Sequence, residues 1–259
     1  MIYKQHKLLF SAIPKTGTTT ISSYINKFFN YETSKFIELG GMKDYHPSVW
    51  NVDAWIKSNK INMKNVFYCG LTRNPYDRFV SHYFYSLYVK ECYDKYKCSP
   101  YGKKVLDQYK SEENLKKELN DNSMSSGTRD SILSNVFLNK PTEEYSQVNK
   151  ILSGINSFDD FVHSALEKGD ENGFPPQIIF THYAWDYDGP KLNYIGKYEE
   201  LQKSFDFICK QIKIPSVTLK KTNKSKHKNY TEYYNKDTQK IISLLYDMDF
   251  KYFGYAKDI

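Results

Sequence analysis

Apolar and polar positions along this chain fall twice into the same pattern. Residues 7–13 (KLLFSAI) form a short, mostly apolar run of the kind that makes a buried strand. The run passes through Pro14, Lys15, Thr16, Gly17, Thr18, Thr19 and Thr20 into a segment where Ile21, Tyr24, Ile25 and Phe28 recur at i, i+3, i+4 and i+7. That spacing puts one apolar stripe on a helix. The pattern restarts at Asn65: residues 66–72 are a continuous apolar strand, and Arg73 stands at its carboxyl end. Asn74 and Pro75 suit the N-cap and N1 positions of the next helix, in which Phe79, Tyr83 and Leu87 recur every fourth residue. Strands alternating with helices predict an α/β fold, with a mainly parallel sheet covered on both faces. In such sheets ligands collect at the carboxyl ends of the strands, where both connecting loops fall.

Residues 91–150 are more polar, with helical stretches and a soft segment over 120–127. They read as an insertion of helices and loops within a single domain spanning residues 1–259. Ser157 with Asp160 has the form of a capping box leading into Phe158, Phe161 and Val162. Residues 177–181 and 194–196 read as short strands. Leu201, Phe205, Ile208 and Ile212 line one side of a helix. A last helix over 236–248 is followed by an aromatic tail, Phe250, Tyr252, Phe253 and Tyr255, expected to pack on the core.

Composition narrows the function classes only a little. With 40% hydrophobic and 26% charged residues the chain is ordinary globular material. A net charge of +7 suits a site for a polyanion, whether bisphosphorylated nucleotide, acidic glycan or nucleic acid, and equally a solvated lysine-rich surface. Cys69, Cys92, Cys98 and Cys209 lack zinc spacing and read as free thiols. No apolar stretch has the length of a membrane span or a signal h-region, so a cytoplasmic protein is expected.

The loop over residues 14–20 carries the most chemistry. A glycine and several threonines before a helix offer backbone N–H groups and hydroxyls to an anion, and the helix dipole adds a favourable field. Lys15 adds a mobile positive charge. A P-loop kinase for a small metabolite would need G-x-x-x-x-G-K-[ST], with the lysine after the glycines. Here Lys15 precedes Gly17, and that pattern fails.

The segment IPKTGTTTI resembles the 5′-phosphosulfate loop of sulfotransferases that use PAPS (3′-phosphoadenosine 5′-phosphosulfate). LTRNPYDRFVSHY resembles their 3′-phosphate motif, a strand-end arginine and a serine eight residues on, here Arg73 and Ser81. IGKYEELQKSFDFIC, TNKSKHKNYTEYYNKDTQKII and DFKYFGY are similar to the carbohydrate branch called sulfotransferase family 2. The resemblance implies a three-layer, P-loop-like sandwich that moves a sulfuryl group from PAPS to a carbohydrate hydroxyl, on a glycan or glycoconjugate, and releases PAP. It demands no metal, no nucleic acid and no membrane span, and it allows other hydroxyl acceptors, acidic ones included.

The same resemblance implies roles. Lys15 would neutralise charge on the leaving oxygen, and Thr16, Gly17, Thr18, Thr19 and Thr20 would hold the 5′ end of the donor. Arg73 and Ser81 would hold the 3′-phosphate. Ser225, Lys226, His227 and Lys228 would close over the adenosine end, with Tyr230 stacking or anchoring. His46 is the chosen general base, with Glu38, Asp44, His82 and His182 as competitors. Arg78 and Glu199 are expected in structural ion pairs. Trp50, Trp55 and Trp185 could stack on a sugar or pack in the core. Besides the kinase, the rival is a polyanion- or nucleic-acid-binding protein that kept the fold without catalysis.

Overall fold

The computed structural model describes residues 2–3, 8–28, 34–35, 37–39, 42–44, 46, 48–60, 62–64, 66–109, 111–120, 132, 135–136, 142–169, 174–182, 191–219 and 227–259. The chain divides into two compact units, Met1–Ser81 with Leu166–Ile259, and His82–Ala165.

The first unit is built on a sheet of β1 (Ile2–Tyr3), β2 (Leu8–Ser11), β3 (Ser34–Lys35), β6 (Phe67–Thr72) and β7 (Tyr194–Lys197), in the order β3-β1-β2-β6-β7. β2, β6 and β7 are parallel, in the register Ser11↔Gly70 and Thr72↔Lys197. β1 pairs antiparallel with both β2 and β3, so the sheet is mixed at that edge. β4 (Ile37–Leu39) and β5 (Met42–Asp44) form a separate antiparallel pair.

Strand alternation sorts the core into two layers. Leu8, Phe10, Cys69 and Leu71 face Ile21 and Ile25 of α1 (Thr18–Phe28), together with Phe205, Ile208, Cys209 and Ile212 of α8 (Leu201–Ile212). Leu9 and Tyr68 face the other way, against Val49, Val52 and Trp55 of α2 (Val49–Ser58). Helix, sheet and helix give the three-layer α/β sandwich. Ile21 and Ile25 are wholly buried, each worth about 1.5–3 kcal/mol of transfer free energy. Phe28, the last member of that stripe, is exposed at the helix end.

α3 (Pro75–Tyr96) starts in this unit, and its Phe79 packs on Phe174 and Tyr246. Residues 177–180, expected as a strand, are a 3-10 turn (Gln177–Phe180). The last helix also departs from expectation. It breaks at Tyr246 into α9 (Lys236–Leu245) and α10 (Asp247–Phe253), so the aromatic tail is itself helical and buries Phe250 and Phe253.

The second unit holds the rest of α3 with α4 (Pro100–Tyr109), α5 (Glu112–Asn120), α6 (Glu143–Ile151) and most of α7 (Phe158–Lys168). Val105, Leu115, Leu119, Ile132 and Val136 form one core cluster, while the Tyr83 ring packs on Phe158 and Phe161. The capping box at α7 forms reciprocally: Asp160 N–H donates to Ser157 Oγ at 3.1 Å, and Ser157 N–H to Asp160 Oδ2 at 3.0 Å. Among the described residues no helix is long and apolar enough to cross a membrane. All four cysteines are buried thiols, and burial pushes Cys92 and Cys209 up to about 11, which keeps them unreactive.

Candidate active site

Beyond Ser11 the chain leaves β2 through Ala12 and Ile13 and turns into α1. Lys15 and Gly17 both take left-handed backbone, with φ of 65° and 81°. For a lysine that conformation costs about 1–2 kcal/mol. At Gly17 glycine is also required for space, because a Cβ would meet the Tyr198 ring at 3.0 Å. The turn is closed from within: Thr16 and Thr18 each donate their hydroxyl to the Ile13 carbonyl at 3.0 Å. Thr20 and Ile21 N–H reach back to the Gly17 carbonyl at 3.0 and 3.2 Å. Thr18 and Thr19 supply the first N–H groups of α1, where the positive end of the helix dipole lies, and the Pro14 and Lys15 carbonyls one turn back accept from arginines.

Two arginines at the start of α3 hold this turn. Arg73 Nη1 donates to the Lys15 carbonyl at 3.1 Å, and Arg78 Nε donates to the Pro14 carbonyl at 3.1 Å. Consecutive carbonyls are thus gripped, which offsets the strain of the left-handed lysine. Arg73 is buried; its Nε donates to Asp77 at 2.8 Å, and its guanidinium lies 4.3 Å over the Tyr198 ring. Tyr198 therefore touches both Gly17 and Arg73. Ser81 is buried one turn beyond Asp77 on the same face of α3, and Asp77 is the residue of that face that pairs with Arg73.

Arg78 is wholly buried, as expected of a structural residue. It lies 3.9 Å from Asp249, donates to the Pro175 carbonyl at 2.9 Å and stacks on Phe174. Burial pulls its pKa down to about 10, against the pull of Asp249, and it stays charged at neutral pH. Glu199 forms no ion pair among the described residues. Its carboxylate accepts from Asn74 N–H at 2.7 Å and from the Tyr255 hydroxyl at 3.0 Å, which pins the start of α3 beside β7. Asn74 caps that helix, accepting from Tyr76 N–H at 2.9 Å.

His46 is exposed, with Nδ1 2.5 Å from the Ala12 carbonyl. A carbonyl only accepts, so Nδ1 carries the hydrogen and the neutral ring keeps its basic lone pair on Nε2. The ring stands at the carboxyl end of β2, next to the turn. Its competitors are placed otherwise. His182 is buried against Tyr252 and Phe253 and bonded to the Thr181 hydroxyl at 2.8 Å, and burial lowers its pKa. His82 belongs to the second unit, where it packs on Phe161. Glu38 and Asp44 fall on β4 and β5.

Ser225 and Lys226 lie outside the described residues, as does Trp185. His227 Nδ1 donates to the Lys228 carbonyl at 2.7 Å, and Lys228 Nζ lies 3.7 Å from Glu232 at the surface. Tyr230 opens a 3-10 turn capped by Asn229. Burial and the negative fields of Asp77 and Glu199 raise the pKa of its hydroxyl. Trp55 is core, whereas Trp50, in the first turn of α2, is 49% exposed.

A family model described as Sulfotransferase family matches residues 1–256. The chain belongs to the sulfotransferase family. The match is of the family 2 type, and it sets the kinase alternative aside. No curated protein and no solved structure matches significantly. Transfer of a sulfuryl group from a sulfate donor to an acceptor is the chemistry of this family.

In this sulfotransferase, four residues of the site escape a reading of the sequence. Asp77 had a local signal, as the carboxylate four residues after Arg73. Tyr198, Asp249 and Gln177, whose carboxamide bonds the Arg73 peptide, had none, because their partners lie far away in the chain. The structure also changes what the threonines can do. The hydroxyl hydrogens of Thr16 and Thr18 are committed to Ile13.

Proposed function

We propose that the protein transfers the sulfuryl group of PAPS to a hydroxyl of a carbohydrate acceptor and releases PAP. The observation that carries this reading is the Arg73–Lys15 contact. It joins the strand-end arginine and the strained turn at the carboxyl ends of two adjacent parallel strands. One compound bearing phosphate at both its 3′ and 5′ positions suits such a pair of cationic sites, with Ser81 about two turns along α3 from Arg73 and Tyr230 in the field of Asp77.

The donor set fits the 5′ end through N–H groups more than hydroxyls. Gly17, Thr18 and Thr19 offer their N–H groups at the helix start, Thr20 spends its N–H on the Gly17 carbonyl and stands one position further in, and Thr16 shapes the turn from inside. Lys15 meets the charge that builds on the leaving oxygen, an electrostatic role. The acceptor oxygen bonds to sulfur while the bridging bond from sulfur to the phosphate oxygen breaks. The electron pair leaves with PAP, and the acceptor proton passes to His46 Nε2. A sulfuryl group carries less negative charge than a phosphoryl group, so the step demands no divalent metal. Ser225, Lys226, His227 and Lys228 would close over the adenosine end.

The carbohydrate acceptor rests on the C-terminal resemblance. Trp50 supports it, as an exposed ring four residues after His46 that suits the apolar face of a sugar. The family match runs through residues 82–165, which supports one domain carrying a helical insertion. Four buried thiols support a reducing, cytoplasmic setting. Incubation with sulfur-35-labelled PAPS and a panel of neutral and acidic glycans tests the reading. Label on a glycan with stoichiometric PAP is expected, and PAP release with no glycan labelled contradicts the acceptor class.

A further inference from the structure

Arg73 lies one residue beyond the last ladder pair of β6 with β7, Thr72↔Lys197, so the sheet stops short of its peptide groups. One side chain takes both of them. Gln177 Oε1 accepts from Arg73 N–H at 2.8 Å, and Gln177 Nε2 donates to the Arg73 carbonyl at 2.8 Å. The carboxamide mimics a neighbouring strand for a single residue, from 104 positions along the chain.

The carboxamide is itself held from behind. Asp249 on α10 is wholly buried, as Gln177 is. Asp249 Oδ2 accepts from Gln177 N–H at 2.8 Å and from Gln177 Nε2 at 3.3 Å, and Oδ1 accepts from Ile178 N–H at 2.8 Å. Flipping the amide would turn its oxygen onto the Arg73 carbonyl and the Asp249 carboxylate. One orientation is therefore enforced.

We infer that Gln177 is a positioning residue for binding of the donor's 3′-phosphate, acting through Arg73; the inference rests on the donor role proposed for that arginine. By fixing the Arg73 peptide it fixes the direction in which the side chain leaves the strand. The guanidinium then needs only its own rotamers to reach Lys15, Asp77 and an anion. Released from the clamp, Arg73 would explore other backbone angles, and its ordering would be charged against ligand affinity.

The test is a double-mutant cycle read by calorimetric binding of PAP. Gln177→Met keeps length and volume but removes both bonds. It is expected to raise the PAP dissociation constant about tenfold in the Arg73 background. With Arg73→Ala already present, the same change should alter it by no more than about twofold. Equal losses in both backgrounds, or no loss in either, overturn the inference. Should Gln177→Met not fold, amide hydrogen exchange on the unaltered protein decides. The Arg73 amide is expected to be protected like that of Leu71 inside β6, and exchange at loop rates overturns the clamp. Absence of PAP binding by the unaltered protein would instead overturn the donor role of Arg73, while the exchange measurement still judges the clamp.

Discussion

Arg73 Nη1 donates a hydrogen bond across 3.1 Å to the carbonyl of Lys15, a residue 58 positions earlier in the chain and held in left-handed backbone. The strained turn and the arginine at the end of β6 are therefore one structure. Removing the two side chains should nevertheless have different effects. Lys15→Ala leaves the backbone carbonyl in place, so PAP binding should largely persist while kcat falls by about 10²–10³-fold. Arg73→Ala removes a charged donor from the ligand and should weaken PAP by about 1.5–3 kcal/mol. Arg73→Lys should not restore it, because the ammonium cannot serve Asp77, Lys15 and an anion as a planar fork does. Calorimetry with PAP and initial rates separate the two effects.

Gly17 is constrained by both angle and space. Gly17→Ala must place a Cβ at φ +81° and against the Tyr198 ring at 3.0 Å. A loss of about 1–3 kcal/mol in stability is expected, and denaturant titration measures it. Because Tyr198 also carries the Arg73 guanidinium, PAP affinity should fall in the same variant.

The tautomer of His46 makes a kinetic prediction. Protonation of Nε2 would remove the proposed base, so kcat should fall on the acid side of the pH–rate profile. His46→Gln should lower kcat by about 10²–10⁴-fold and flatten that limb without changing PAP affinity. An unchanged acid limb in the variant would move the base elsewhere.

His182 ties stability to pH through its burial. Burial lowers its pKa below the ordinary value of 6.5, so folding favours the neutral ring. Its contribution is fully present above pH 6.5 and is lost as pH falls through the lower folded value. Thermal midpoints measured from pH 7.5 down to 5 should decline, and His182→Phe should make that decline shallower.

What a sequence can disclose about this site follows from distance along the chain. The strand, turn and helix around Lys15, and the strand-end Arg73 with its Asn74 cap, are each built from neighbours, so their patterns are local. Gln177 shows the opposite case. Ile178, Ile179 and Phe180 read as strand, but Asp249, 72 residues later, takes the N–H groups of Gln177 and Ile178 and bends them into a turn. Likewise Glu199 has a charge that suggests an ion pair, yet its partners are the Asn74 N–H and a tyrosine hydroxyl. The threonines of the turn suggested hydroxyls offered to a ligand. Only the folded turn reveals that Thr16 and Thr18 point theirs at Ile13.

The central claim is that one doubly phosphorylated adenosine compound spans the turn and Arg73. Thermal denaturation with PAP, ATP and AMP, each with and without Mg²⁺, addresses it most directly. At about a hundred times its dissociation constant PAP should stabilise by about 2.7 kcal/mol, a rise of roughly 5–10 °C, with or without metal. Stabilisation by ATP with Mg²⁺ but not by PAP would contradict it.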